Sequence, residues 1–188
     1  LVLIGLIELS VEFNSKKTRK IMSAKQYYLQ TQRADYNVCP YFYEREVKIM
    51  EITGIALQTV TAGEDVAFTE TAVNGTKCIV HRQGSGIIKL RGITNQCKAR
   101  FLVSYSGNIQ IPTGGTVEAI SLAIAVDGEP LQSTRMIVTP AAVENFFNVS
   151  AQAYVDVPCG CCSTVAVQNT STQAIEVQNS NLIAVREA

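Results

Sequence analysis

The most regular patterning in the chain lies between Lys98 and Pro140, KARFLVSYSGNIQIPTGGTVEAISLAIAVDGEPLQSTRMIVTP. From Val117 to Val126 apolar side chains recur with period two, the repeat of a strand rather than of a helix. Ile120, Leu122, Ile124 and Val126 fall on one face, and Ala119, Ser121, Ala123 and Ala125 on the other. A single strand cannot hide four aliphatic side chains, so the large face predicts burial against a second layer. The small face suits a covering loop or the close approach of another layer or subunit. Asp127-Gly128-Glu129-Pro130 ends the strand with turn residues, and Met136-Ile137-Val138 starts another. Upstream, Phe101, Val103 and Tyr105 alternate with Leu102 and Ser104 before a Gly107-Asn108 turn signal. These are hairpins.

The same rhythm runs from Ile52 to the end. Strands are expected at Ile52 to Val60, from Val66, at Cys78 to Arg82 and at Ile87 to Arg91. After the loop Ile111 to Thr116, further strands fall at Asn148 to Val157, Ser163 to Asn169, Gln173 to Gln178 and Asn181 to Glu187. Asn74-Gly75 is the strongest short hairpin signal. Ala141 to Phe147, after Pro140, is the one place in this region where a helical turn is expected. Short strands at intervals of about 8–12 residues predict two antiparallel sheets of about four strands each. Alternating βα units are absent, which excludes a parallel sheet.

Residues 1 to 50 read differently. LVLIGLIEL is apolar but too short to span a bilayer, and it lacks the basic front of a secretion signal. NSKKTRK follows as a basic polar stretch, and five of the seven tyrosines (27, 28, 36, 41 and 43) lie in this segment. It carries eight Lys/Arg against five Asp/Glu, leaving eight against eleven for the rest of the balanced 16/16 total. This segment is read as an N-terminal arm, and 51–188 as the folded domain. With no regular stripe of its own, such an arm gains order by lying on something else. Lys16, Lys17, Arg19 and Lys20 are suited to carboxylates on a neighbour; Tyr27, Tyr28, Tyr41 and Tyr43 supply contact area.

Chemistry is sparse. The balanced charge argues against nucleic acid or a membrane surface as partner. The only histidine, His81, is three residues from Cys78, which an extended strand puts on the opposite face, so no Cys-His dyad is expected. Gly84-Ser85-Gly86 lacks the G-K-[ST] of a phosphate loop, and the acidic residues are spaced singly, without a calcium-loop pattern. Six cysteines at 39, 78, 97, 159, 161 and 162 include no C-x-x-C. Buried structural thiols are the first reading and a disulfide the second, with a metal site disfavoured. The adjacent Cys161 and Cys162 are not expected to pair with each other. No catalytic residue, metal or cofactor is expected.

Gly63-Glu64-Asp65-Val66-Ala67-Phe68, KARFLVSYSGNI and the closing QNTSTQAIEVQNSNLIAVREA resemble strands of the small jelly rolls of the tumour-necrosis-factor and complement type. CIVHRQGSGIIKLRGITNQC, IPTGGTVEAISLAIAVDGEP, IVTPAA and CCSTVAVQNTS resemble a group of small proteins associated with bacteriophages and gut Firmicutes. The resemblance covers about Ile52 to Ala188 and implies an antiparallel jelly-roll sandwich assembled as a homotrimer. Phe101, Val103, Tyr105 and Tyr154 become candidates for the core between subunits, the alternative being the core between the sheets of one chain. The implied role is a non-enzymatic virion structural protein: a capsid decoration, cement or head-fibre trimer held to other virion proteins by residues 1–50. A trimeric module on a cell or spore surface, binding a receptor or glycan, is the alternative; that would place it extracellularly rather than in the virion.

Overall fold

The computed structural model describes residues 48–187. The arm candidates Lys16, Lys17, Arg19, Lys20, Tyr27, Tyr28, Tyr41 and Tyr43, together with Cys39, lie outside the described residues. Twelve strands follow one another: β1 (Ile49–Gly54), β2 (Gln58–Val60), β3 (Glu70–Val73), β4 (Ile79–His81), β5 (Ile88–Arg91) and β6 (Lys98–Gln110), then β7 (Ile120–Val126), β8 (Glu129–Pro130), β9 (Met136–Val138), β10 (Phe147–Pro158), β11 (Cys162–Asn169) and β12 (Ile175–Arg186). They form two six-stranded antiparallel sheets. Sheet A has the order β10-β6-β12-β1-β3, with β2 also on β12. Sheet B has the order β4-β5-β11-β7-β8, with β9 also on β7. This is an antiparallel sandwich, as the strand rhythm predicted, with six strands in each sheet where about four were expected, and it is of the jelly-roll type that the resemblance implied. Its first strand starts at Ile49, two residues before the boundary read from the sequence.

Alternation in each sheet supplies one half of the core. Sheet A contributes Ile52, Phe101, Val103, Tyr105, Ile109, Val157, Val177 and Leu182, all at most 2% exposed. Sheet B meets them with Ile79, Ile88, Leu90, Ile120, Leu122, Ile124, Val165 and Val167, none above 1%. The large face of β7 thus points inward as expected, with Val126 half-buried at its end. Its small face is buried too, except for Ala119, which lies exposed just before the strand. Arg135 crosses it, donating from Nε to Ser121 Oγ (3.1 Å) and from Nη2 to the Thr170 carbonyl (3.3 Å). Between β8 and β9, Thr134 Oγ1 accepts from the Ile124 amide (3.0 Å) and donates to the Leu131 carbonyl (2.8 Å). A side chain there replaces a missing rung of the ladder.

The structure corrects several local expectations. Gly107-Asn108 is not a turn, because β6 runs through it for 13 residues. The glycine serves close packing instead: a Cβ at 107 would stand 2.5 Å from the Tyr105 hydroxyl. Asn74-Gly75 makes no hairpin, since β3 belongs to sheet A and β4 to sheet B. Here the chain crosses between sheets, and a Cβ at Gly75 would meet the Ile79 carbonyl oxygen at 2.4 Å. No helix forms at Ala141 to Phe147. Glu144 takes a left-handed φ of 62°, and its amide bonds to the Ile111 carbonyl at 2.9 Å. Ile52 to Val60 is two strands broken at 55–57. Val66 to Phe68 belongs to no named strand: its amides bond to Val167 and Ser85, the Phe68 carbonyl accepts from Gly84, and the Gln58 side chain bonds both the amide and the carbonyl of Ala67. The two closing strands are one, bulged between Gln178 and Asn181.

Stability measurements on four variants test this core. Leu122→Ala should lower the unfolding free energy by about 2–5 kcal/mol in urea titrations. The Tyr105 hydroxyl is buried beside the Ser180 hydroxyl without a well-formed hydrogen bond, and burial pushes its pKa up to about 12, with the nearby Ser180 acting in the opposite sense. Tyr105→Phe should therefore be neutral or stabilising. Gly107→Ala should cost about 1–3 kcal/mol alone. Combined with Tyr105→Phe the cost should shrink, because the clashing oxygen is gone.

Candidate interaction surface

The second face of sheet A points away from the core, and the strand registers place its side chains in rows. Tyr154 on β10 stands opposite Leu102 on β6, which opposes Val185 on β12, which opposes Ile49 on β1. This row is apolar from end to end. Tyr154 is 64% exposed; Leu102, Val185 and Ile49 are half-buried. The next row, Gln152, Ser104, Ile183, Glu51 and Val73, is mixed. The row after it, Ser150, Ser106, Asn181, Thr53 and Glu70, is polar throughout. Asn181 Nδ2 donates to Glu51 Oε1 at 2.6 Å and ties these two rows together.

On the other side of the apolar row stands a charged corner. Asp156 opposes Arg100 and receives two bonds from its guanidinium, Nε to Oδ1 at 2.7 Å and Nη2 to Oδ2 at 2.9 Å. Lys98 Nζ is a second cation on the same carboxylate. The Arg100 hydrogen bond, then Lys98, holds the Asp156 carboxyl well below the usual carboxylate range. The same pairing raises the Arg100 pKa. The guanidinium carbon lies 5.8 Å from the Tyr154 ring centroid, close enough for a cation–π contact. An ion pair exposed in this way adds little stability. Its consequence is orientation: the arginine fork is held over the ring that begins the apolar row.

Of the four subunit-contact candidates, the structure separates three from the fourth. Phe101, Val103 and Tyr105 point into the sandwich at 0%, 0% and 2% exposure, so the core of their own chain uses them up and leaves nothing for a neighbour. Tyr154 alone has its ring outside. Leu102, Val185 and Ile49 escape a pattern reading that follows the largest side chains, because the free face is made of those between them. The signal was present in Leu102, the apolar residue that breaks the polar alternation of Lys98, Arg100, Ser104 and Ser106.

The remaining chemical candidates are structural. His81 lies between Thr71 Oγ1 (3.0 Å from Nδ1) and the Ser85 carbonyl (3.0 Å from Nε2), so Nε2 carries the proton donated to Ser85. Cys78 is buried and its Sγ receives a bond from Arg186 Nη1 at 3.1 Å. Cys97, Cys159, Cys161 and Cys162 are exposed, contrary to the reading of buried thiols. All four lie at the ends of strands, where the second layer no longer covers them. Among the described residues no group of three His, Cys, Asp or Glu is placed to hold a metal, and no helix is long and apolar enough to cross a membrane.

No family model matches the chain, and no curated protein matches it in sequence. Solved structures do match in fold. Murine APRIL at pH 5.0 superposes with a TM-score of 0.54 at 11% identity, over 75% of this chain and 99% of that one. The globular domain of the zebrafish complement 1qA protein gives 0.54 at 7% identity, over 76% and 98%. Eiger, a tumour necrosis factor from S. frugiperda, gives 0.58 at 13% identity, over 77% and 94%. At such identities the likeness is one of architecture: this chain has the tumour-necrosis-factor and complement type of jelly roll.

Proposed function

We propose that this protein is a non-enzymatic structural protein of a bacteriophage virion, a jelly-roll trimer whose subunits meet through the free face of sheet A. The arm read as residues 1–50, up to the start of β1 at Ile49, attaches it to other virion proteins. The observation that carries the trimer is the apolar row Tyr154, Leu102, Val185 and Ile49 on a sheet face that the rest of its own sandwich leaves uncovered. A row of four apolar side chains across four strands is worth burying, and closed cyclic symmetry buries it on every copy without leaving an open edge. The polar rows beside it supply hydrogen bonds at the rim, and the charged corner sets orientation. The virion role is supported by the resemblance of the longer sequence phrases and by the basic, tyrosine-rich character of residues 1–50.

Sedimentation equilibrium should give a mass three times that of the 20.4 kDa chain. Leu102→Asp should shift the protein to monomer at micromolar concentration while far-ultraviolet circular dichroism stays unchanged, since each buried contact would then carry an uncompensated charge. A monomeric wild type at all concentrations would remove the trimer.

The attachment role needs its own measurement. A chain beginning at Val47, where the compact domain begins, should fold and self-associate as the full chain does. It should fail to sediment with particles stripped of this protein, whereas the full chain should bind them. Equal binding by both would sink the role given to residues 1–50. Purified particles lacking the protein by mass spectrometry, with the protein on cell surfaces instead, would favour the surface-module reading.

A further inference from the structure

The chain passes between its two sheets side by side at one corner of the sandwich. Residues 92–97 carry it from β5 in sheet B to β6 in sheet A, and residues 159–161 carry it from β10 in sheet A to β11 in sheet B. Each crossing holds a cysteine next to the end of its long strand: Cys97 before β6 and Cys159 after β10. The β6–β10 ladder ends with Pro158 opposite Lys98. One further backbone bond, from the Cys159 amide to the Cys97 carbonyl at 2.9 Å, continues it to the next rung. Cys97 and Cys159 therefore face each other across two strands.

The geometry points to these two thiols as the site of a cross-strand disulfide that ties the two inter-sheet crossings together. Residues directly opposite in a hydrogen-bonded antiparallel pair have Cα atoms about 5.5 Å apart. A disulfide spans about 4.4–6.8 Å between Cα atoms. Opposite residues also project to the same side of the sheet. Both thiols are exposed, so an oxidant reaches them. The Cys159 thiol already turns toward the other crossing, its Sγ 3.1 Å from the Thr94 carbonyl oxygen.

The backbone around the pair is fixed before any bond forms. Pro158 to Cys161 is a tight turn, closed by the Cys161 amide on the Pro158 carbonyl (3.0 Å), with Gly160 at a φ of 76° that favours glycine. Gly92 and this turn exchange two more bonds, Gly160 amide to Gly92 carbonyl (3.0 Å) and Gly92 amide to Cys161 carbonyl (2.9 Å). A Cβ on Gly92 would stand 2.0 Å from the Pro158 carbonyl oxygen, so only glycine lets the crossings lie this close. The other described cysteines are placed differently. Cys162 opposes Arg91 in sheet B, Cys161 closes the turn and accepts from the Gly92 amide, and Cys78 is buried against Arg186.

The oxidant is a small-molecule disulfide of the glutathione class. One thiolate attacks it, forming a mixed disulfide and expelling one glutathione thiolate. The second cysteine thiolate attacks that mixed disulfide and expels the other. The two cysteines give up two protons and two electrons, and the reagent leaves as two thiols. No assembly of subunits is required, so the inference stands apart from the trimer.

The full-length protein, purified reduced, is incubated with oxidised glutathione, alkylated and digested with trypsin without reduction. Cleavage after Arg91, Lys98, Arg135 and Arg186 isolates Cys97 on peptide 92–98 and leaves Cys159 with Cys161 and Cys162 on peptide 136–186, so the variants assign the partner. The expected result is a linked pair of these peptides that dithiothreitol separates, present in wild type and Cys161→Ser but at least tenfold reduced in Cys159→Ser. Absence of the link in wild type, or its survival in Cys159→Ser, overturns the assignment. Thermal melting of the reduced variants shows that each remains folded.

Discussion

The 13-residue strand β6 divides its side chains between two tasks, and the period of the strand forbids any residue from serving both. Ala99, Phe101, Val103, Tyr105 and Ile109 go to the core. Lys98, Arg100, Leu102, Ser104, Ser106 and Asn108 go to the open face. A shift of register by one residue would exchange the two sets and expose the aromatics. The core thus determines which side chains remain for contact. The packed face and the open face are coupled through the same backbone.

That coupling explains an apparently wasteful feature, the buried hydroxyls of Tyr105 and Ser180 that lack a well-formed hydrogen bond. Tyr105 reaches along the strand over Gly107, into the stretch opposite the bulge where Asn179 turns to a φ of 52°. Any residue larger than glycine at 107 would displace the ring. The bulge itself lets the two halves of β12 pair with different partners, β2 near Ile175 and β1 near Leu182. Local imperfections in the polar accounting allow one long strand to join three others.

Reading from sequence succeeded where one face dominated. β7 was legible because its large and small sets separate cleanly, and the antiparallel class followed from the spacing of such segments. It failed where a glycine signalled a turn but served a close approach, as at Gly75 and Gly107, since nothing local distinguishes the two uses. The Glu144 conformation depends on a carbonyl 33 positions earlier and has no local signature. The open face was half legible: Tyr154 could be named as an outward ring, whereas Phe101, Val103 and Tyr105 carried a pattern equally compatible with either face. Only the registers decide which set points inward. The facing of Cys97 and Cys159 was hidden for the same reason, as it arises from an alignment of two strands far apart in the chain.

The position of β12 has a kinetic consequence. It lies between β6 on one side and β1 and β2 on the other, so it joins the β6–β10 pair to the β1–β3 pair. Among the described strands it is the last to leave a ribosome. Until residues 175 to 186 emerge, sheet A exists as two separate fragments with unpaired inner edges. Such a topology, in which the first strand waits for the last, closes its longest loops late and folds slowly. Until β12 is in place, the inner edges of β6 and β1 are unpaired strand edges open to non-native pairing.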